Sequence, residues 1–227
     1  MVVADVDGTL LGSDRDFVDL HRCLARWQEV ALVPNSSRPI ASLRRSWRQM
    51  RIDSFTTQVG ALGTEVEVNG KRTGWSKRFA TFDRRPFDEV LTGMGFPTNG
   101  DEFQTPLKAS YSVTSGRWVE AIAAVREVAP VQVVTSGERD FDMIPVEAGK
   151  AAPLTFLAEE LGVAPERIVA AGNSMNDLTM LMAASKRIVV GNADQALIDA
   201  IDGHAFCSRE HFAAGVKEGI RALGVVR

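Results

Sequence analysis

Short apolar runs separated by amphipathic stretches mark both ends of the chain. Val2-Val3-Ala4-Asp5-Val6 is apolar and β-branched, and Asp7-Gly8-Thr9 interrupts it, the pattern of a buried strand ending in a loop. Phe17, Leu20, Leu24 and Trp27 then recur at helical spacing and predict a helix over about residues 16–29. Ala31-Leu32-Val33-Pro34 reads as a second buried strand, followed by the loop Asn35-Ser36-Ser37-Arg38. Pro39 suits the first turn of a helix over about residues 40–50, where its missing N–H costs nothing. Much later, Ile168-Val169-Ala170-Ala171 reads as a third buried strand, ending in Gly172-Asn173-Ser174. A helix over 177–184, a strand over 187–190 and further helices complete the chain.

The middle has a different rhythm. Thr64-Glu65-Val66-Glu67-Val68 alternates as a half-exposed strand, and Asn69-Gly70 is a strong hairpin turn. Beyond it the pattern predicts helices over 86–94 and 117–128 and strands over 107–113, 131–135 and 141–144, then a helix over 152–161. Strand–helix alternation on both sides of such an insert predicts an α/β fold. Its core is a Rossmann-like, doubly wound parallel sheet from residues 1–75 and 149–227, and residues 76–148 form an inserted α+β cap.

Composition narrows the class. With 227 residues, 45% hydrophobic and 24% charged, the chain has material for a full core. A net charge of -3 without a basic stripe argues against nucleic acid. Arg44, Arg45, Arg48 and Arg51 read as a solvated helix face. Cys23 and Cys207 fit neither a disulfide framework nor a zinc pattern, and His21, His204 and His211 have no metal-ligand spacing. No segment resembles a secretory signal or a membrane span, so a cytoplasmic protein is expected.

In an open parallel sheet, ligands bind beyond the carboxyl ends of the strands. That rule brings Asp5-Val6-Asp7-Gly8-Thr9, Asn35-Ser36-Ser37-Arg38 and Gly172-Asn173-Ser174-Met175-Asn176-Asp177 to one edge. Two carboxylates at a strand end repel, and keeping both ionised calls for a cation. Hard oxygen ligands select magnesium, which also binds phosphate. Asp5 can then attack phosphorus while Asp7 moves protons, and Gly8 lets backbone N–H groups come close. Each feature also has a plainer reading. The first loop could be only a turn, Ser36 and Asp177 could be helix caps, and Lys150 could be a solvated side chain.

Asp5-Val6-Asp7-Gly8-Thr9-Leu10 resembles the first motif of the haloacid dehalogenase superfamily. Ser36-Ser37-Arg38-Pro39 resembles the second, Gly149-Lys150 the third and Gly172 to Asp177 the fourth, in the branch with a large cap between the second and third. The resemblance implies that Asp5 is the nucleophile, forming an aspartyl-phosphate, and that Asp7 protonates the leaving oxygen and then activates water. It implies that Ser36, with Ser37, Arg38 and Asn176 nearby, holds phosphate, and that Lys150 neutralises it. Mg2+ would be bound by Asp5, Asp7, Asn173 and Asp177. Two positions depart from the pattern. Asn173 stands where Asp is usual, which removes one negative charge and weakens magnesium binding, and Ser37 replaces Gly, so that its Cβ crowds an amide facing phosphate.

The insert resembles the cap of sucrose-phosphate and mannosylfructose-phosphate phosphatases, in Gln104 to Tyr111 and Ser136 to Pro145. It implies a sugar phosphate as substrate, a sucrose 6-phosphate-like disaccharide above others, and a link to the glycosyltransferase synthase that makes it. Gln104, Lys108, Glu138, Arg139 and Asp140 are the cap residues expected to meet the sugar. A phosphomutase and a non-catalytic sugar-phosphate-binding protein are the alternative functions.

Overall fold

The computed structural model describes residues 1–52, 55–201 and 203–226. The first apolar run forms β1 (Val2–Asp5), fully buried. Helix α1 (Asp14–Arg26) begins two residues before the expected start because Ser13 caps it, accepting from the Asp16 N–H, with Asp14 and Asp16 in the first turn. Next come β2 (Leu32–Asn35) and α2 (Ile40–Gln49). Pro39 takes the N-cap of α2, and the Glu65 carboxylate accepts from the freed Ile40 N–H at 2.8 Å.

The expected hairpin is β4 (Glu65–Val68) and β5 (Lys71–Arg72), preceded by β3 (Gln58–Gly60), which the pattern did not reveal. The insert supplies α3 (Arg85–Gly93), β6 (Ala109–Ser112), α4 (Trp118–Val128), β7 (Gln132–Ser136) and β8 (Asp140–Ile144). The chain returns through α5 (Leu154–Glu160), β9 (Val169–Gly172), α6 (Leu178–Ala183), β10 (Lys186–Val189), α7 (Gln195–Ala200), β11 (Phe206–Cys207) and α8 (Phe212–Ala222).

The large sheet runs β11-β10-β9-β1-β2-β3-β4-β5. Strands β11 to β3 are parallel, and the β4–β5 hairpin adds an antiparallel edge. Alternation decides what each face buries. Val2 and Ala4 pack with Phe17, Leu43, Trp47 and Ile220 on one side, and Val3 packs with Leu157, Met180 and Leu181 on the other. Helices thus cover both faces, as a parallel sheet requires. The small antiparallel sheet, β6-β8-β7, packs Ala109, Tyr111, Phe141 and Met143 against Phe87, Leu91, Ala121 and Val125 in a core of its own. Among the described residues, no helix is long and apolar enough to cross a membrane.

One expectation about charge is corrected. Arg45, Arg48 and Arg51 are exposed, but Arg44 donates to both oxygens of the buried Glu67 at 2.9 and 2.8 Å, with Gln58 adding a third bond at 3.1 Å. Glu67 points inward from β4, and a buried carboxylate needs such a partner.

Gly63 locks the segment before Lys150. The Gly149 N–H donates to the Leu62 carbonyl at 2.9 Å, and Gly63 sits at φ +81°, where an added Cβ would lie 2.1 Å from the Gly149 oxygen. Gly63→Ala should therefore lower stability by on the order of 2 kcal/mol, from strain and displacement together. Urea unfolding checks this, and an unchanged midpoint contradicts it.

Candidate active site

The register Asp5↔Asn35 on β1 and β2, with β9 on the other flank, sets three strand-end loops side by side. Into this edge comes Lys150, 98% buried. Its ammonium donates to Asp5 Oδ1 at 2.6 Å, Asp177 Oδ1 at 2.6 Å and Asn176 Oδ1 at 3.0 Å, which uses all three of its protons. Asn35 holds the same residue by its backbone, donating from Nδ2 to the Lys150 carbonyl at 2.8 Å. The solvated-side-chain reading of Lys150 does not describe this geometry.

Charge states follow from burial. Desolvation pushes the Asp5 carboxyl up to about 7; the neighbouring Asp177 charge adds to this, and Lys150 opposes it. Burial also disfavours the Lys150 ammonium, but Asp177 and Asp5 outweigh it and hold its pKa above the ordinary lysine value.

Asp177 is spent on structure. Its Oδ2 accepts from the Asn173 and Ser174 N–H groups at 3.0 and 3.1 Å, and its Oδ1 faces Lys150. It caps the Met175–Asp177 turn with Ser174, so both of its oxygens already have hydrogen-bond partners. Ser36, fully buried, accepts the Arg38 N–H at 3.0 Å. Its hydroxyl proton can be donated to an anion, and the N-cap of α2 belongs to Pro39. Asp7 is half exposed, with Arg38 Nε 3.2 Å from its Oδ2 but off the line of a hydrogen bond.

The donor set suits a divalent cation. Asn173 Oδ1 lies 3.1 Å from Asp5 Oδ2 and 3.3 Å from the Asp7 carbonyl. Octahedral magnesium at about 2.1 Å spaces adjacent ligands about 3.0 Å apart, close to these separations. Among the described residues there is no cluster of three His, Cys, Asp or Glu side chains for a metal. Any ion here would use one carboxylate, one carbonyl and one amide, with water.

Above these loops opens a cavity of about 580 Å³ between the two sheets. Asp5, Asp7, Ser37, Arg38, Asn173 and Asn176 form its floor, and Lys108, Ser110, Ser136, Asp140 and Asp142 its roof. Lys108 ties roof to floor, donating to the Ser37 carbonyl at 3.0 Å while paired with Asp142 at 3.1 Å. Burial pushes the Asp142 carboxyl up, and Lys108 opposes that. A smaller cavity of about 240 Å³, beside Glu65 and Arg72, contains none of these groups.

Three of the expected cap residues are elsewhere. Gln104 spends its amide on the Asn99 and Ser110 backbone, at 3.1, 2.7 and 3.0 Å. Glu138 and Arg139 are exposed at the β7–β8 turn, outside the cavity lining. Sequence reasoning missed Asn99, Phe103, Ser110, Ser136, Asp142, Ser174 and Asp194, which line the cavity. The available signal was period two: Ser110 pairs with Asp142 and Ser112 with Asp140, on the face opposite Ala109, Tyr111, Phe141 and Met143.

Comparison with known proteins places the fold and the family. A mannosylfructose-phosphate phosphatase of Agrobacterium fabrum is 27% identical, covering 99% of this chain and 97% of its own. A phosphoglycolate phosphatase of Methanoculleus marisnigri is 33% identical over 75% of this chain and 76% of its own. The crystal structure of the sucrose-phosphatase of Synechocystis with sucrose and phosphate shares the fold, with TM-score 0.87 at 20% identity, covering 97% and 96% of the two chains. Residues 1–224 match the family Sucrose-6F-phosphate phosphohydrolase, and the chain belongs to that family, as a phosphatase of the haloacid dehalogenase superfamily.

Proposed function

We propose that the protein hydrolyses a phosphorylated disaccharide or related glycoside, like sucrose 6-phosphate, through an aspartyl-phosphate on Asp5. The observation that carries this is a nucleophile fixed 2.6 Å from a buried ammonium, under a cavity roofed by polar cap side chains. The Asp5 carboxylate attacks phosphorus as the bond from phosphorus to the sugar oxygen breaks. Asp7 gives its proton to that oxygen, then takes one from the water that attacks the aspartyl-phosphate; the bond to Asp5 breaks and phosphate leaves. Ser36 donates to a phosphoryl oxygen, and Lys150 balances charge on the transition state. Arg38 steadies the Asp7 carboxylate. Mg2+, when bound, would be held by Asp5, the Asp7 carbonyl and Asn173 and would supply further neutralisation of the phosphoryl group.

The lining supports a sugar. Among the described residues that line it, five carboxylates (Asp5, Asp7, Asp140, Asp142 and Asp194) face two cations, Arg38 and Lys108, each already paired with one of them, while Lys150 meets Asp5 from beneath. A substrate with a second anionic group, such as phosphoglycolate, meets repulsion there. A neutral polyol body instead finds acceptors for its hydroxyls in a volume suited to a small-molecule site. Residues 76–148, as a cap, would exclude water and set the specificity. The supplying reaction is a glycosyl transfer onto a phosphorylated sugar, so a cytoplasmic synthase is the natural source.

A panel of sugar phosphates with and without magnesium should give one strongly preferred disaccharide phosphate, with no release in the absence of metal. Asp5→Asn should lose at least about a thousandfold in kcat, and substantial residual turnover contradicts the mechanism. Asp140→Ala should raise KM for that disaccharide phosphate about tenfold, the worth of one bond to a charged group, and leave a small monophosphate's KM unchanged. Equal effects on both would remove Asp140 from sugar recognition. The raised Asp5 pKa also has a thermodynamic sign. The metal-free fold binds this proton more tightly than the unfolded chain, so the contribution is full below about 4 and is lost as pH rises through about 7. Melting temperatures of the metal-free protein should fall across that window relative to Asp5→Asn; parallel curves contradict it.

A further inference from the structure

Asn173 can do something that an aspartate in its place cannot. Its side-chain oxygen stands 2.9 Å from Thr9 Oγ1, 3.1 Å from Asp5 Oδ2 and 3.3 Å from the Asp7 carbonyl. With oxygen inward and Asp5 ionised, three acceptors crowd together and only the Thr9 hydroxyl brings a proton. That arrangement is repulsive unless a cation sits between them. After a half-turn of the amide, its nitrogen occupies the same point and donates to Asp5 Oδ2 and the Asp7 carbonyl, with Thr9 Oγ1 also in reach. Each orientation therefore suits one state of the site, one with a cation and one without.

We propose that Asn173 is a two-position latch: without metal its amide N–H groups tie down the second oxygen of Asp5, and magnesium entry turns the amide so that its oxygen becomes a ligand. This rests on the reading of Asp5, Asp7 and Asn173 as the magnesium site. Both oxygens of the nucleophile are then held in the metal-free protein, Oδ1 by Lys150 at 2.6 Å and Oδ2 by Asn173 at 3.1 Å. When the cation arrives it takes over Oδ2 from the amide N–H groups.

The surroundings leave the amide room for this role. Gly8, at φ +86°, presents bare backbone to the outer end of the amide, and an added Cβ would lie 2.6 Å from Asn173 Nδ2. Meanwhile the Asn173 backbone is pinned, its N–H by Asp177 Oδ2 at 3.0 Å and its carbonyl by the Asp194 N–H at 2.8 Å. The side chain can turn without the loop moving. An aspartate here would add charge beside Asp5 and donate nothing, so the neutral amide trades metal affinity for a metal-free site that is internally bonded.

The test uses the whole protein, stripped of metal and then titrated with magnesium chloride in the absence of substrate. Calorimetry and melting temperature are read for wild type, Asn173→Asp and Asn173→Ala, and the wild-type Asn173 side-chain NH2 resonances are followed by nuclear magnetic resonance. Asn173→Asp should bind magnesium at least about tenfold more tightly, yet melt lower than wild type when metal-free. Asn173→Ala should melt lower when metal-free and also bind magnesium more weakly. The wild-type NH2 resonances should shift at saturation. A metal-free Asn173→Ala protein as stable as wild type, or NH2 resonances that ignore bound magnesium, overturns the latch alone. A wild type that binds no magnesium at millimolar concentration overturns the metal site itself, and the latch with it.

Discussion

The ammonium of Lys150, buried between the carboxylates of Asp5 and Asp177, is the contact on which the site depends. A lone buried cation is costly, and each of these carboxylates alone would be costly too. Together they are tolerable because every proton of Lys150 has an acceptor, and Asp177 spends its remaining oxygen on two backbone N–H groups. The triad also joins distant pieces of chain: the end of β1, the segment after the cap and the loop after β9. Asn35 on β2 holds the Lys150 carbonyl from a fourth direction. Removing one member leaves the others charged and buried, so the position of the Asp5 carboxylate and the fold of this edge are one energetic unit.

The cap completes the site through a simpler device, the two-residue period of an antiparallel strand. One face of β6 and β8 packs aromatic and aliphatic side chains on α3 and α4; the other hangs serines and carboxylates over Asp5. Lys108 spans the gap, neutralising Asp142 on its own sheet and gripping the Ser37 carbonyl across the cavity. A cavity with few cations in its lining results, and the Lys150 ammonium lies beneath its floor against Asp5.

Legibility in the sequence follows the strength of local signals. The central strands β1, β2 and β9 are continuous apolar runs, and the loops after them hold chemistry because a parallel sheet leaves nowhere else for it. Strands β3 and β11, three and two residues long, are too short to show a period; neighbouring strands specify them. Asp5 stands out because a carboxylate ending an apolar strand needs a reason, whereas Lys150, in a turn past β8, stands out only through the resemblance of Gly149-Lys150 to a family motif. Gln104, Glu138 and Arg139 were misjudged because residue type cannot reveal whether an amide is used by its own backbone or a charge sits on an exposed turn. Asp142 and Ser110 lie in plain alternation, but their exposure to the cavity, not to bulk water, depends on the core beneath them. For Asp177, expected at the metal, the folded turn supplies hydrogen-bond partners to both oxygens that residue type does not reveal.

The most direct test of the account is to quench the enzyme with acid during turnover of a disaccharide phosphate and map the covalently bound phosphoryl group by mass spectrometry. The account predicts one phosphoryl group, carried by the peptide containing Asp5 and released by hydroxylamine as an acyl phosphate is. Turnover with no trapped phosphoryl group in acid-quenched samples over the whole time course, or with the group on any other residue, would contradict it.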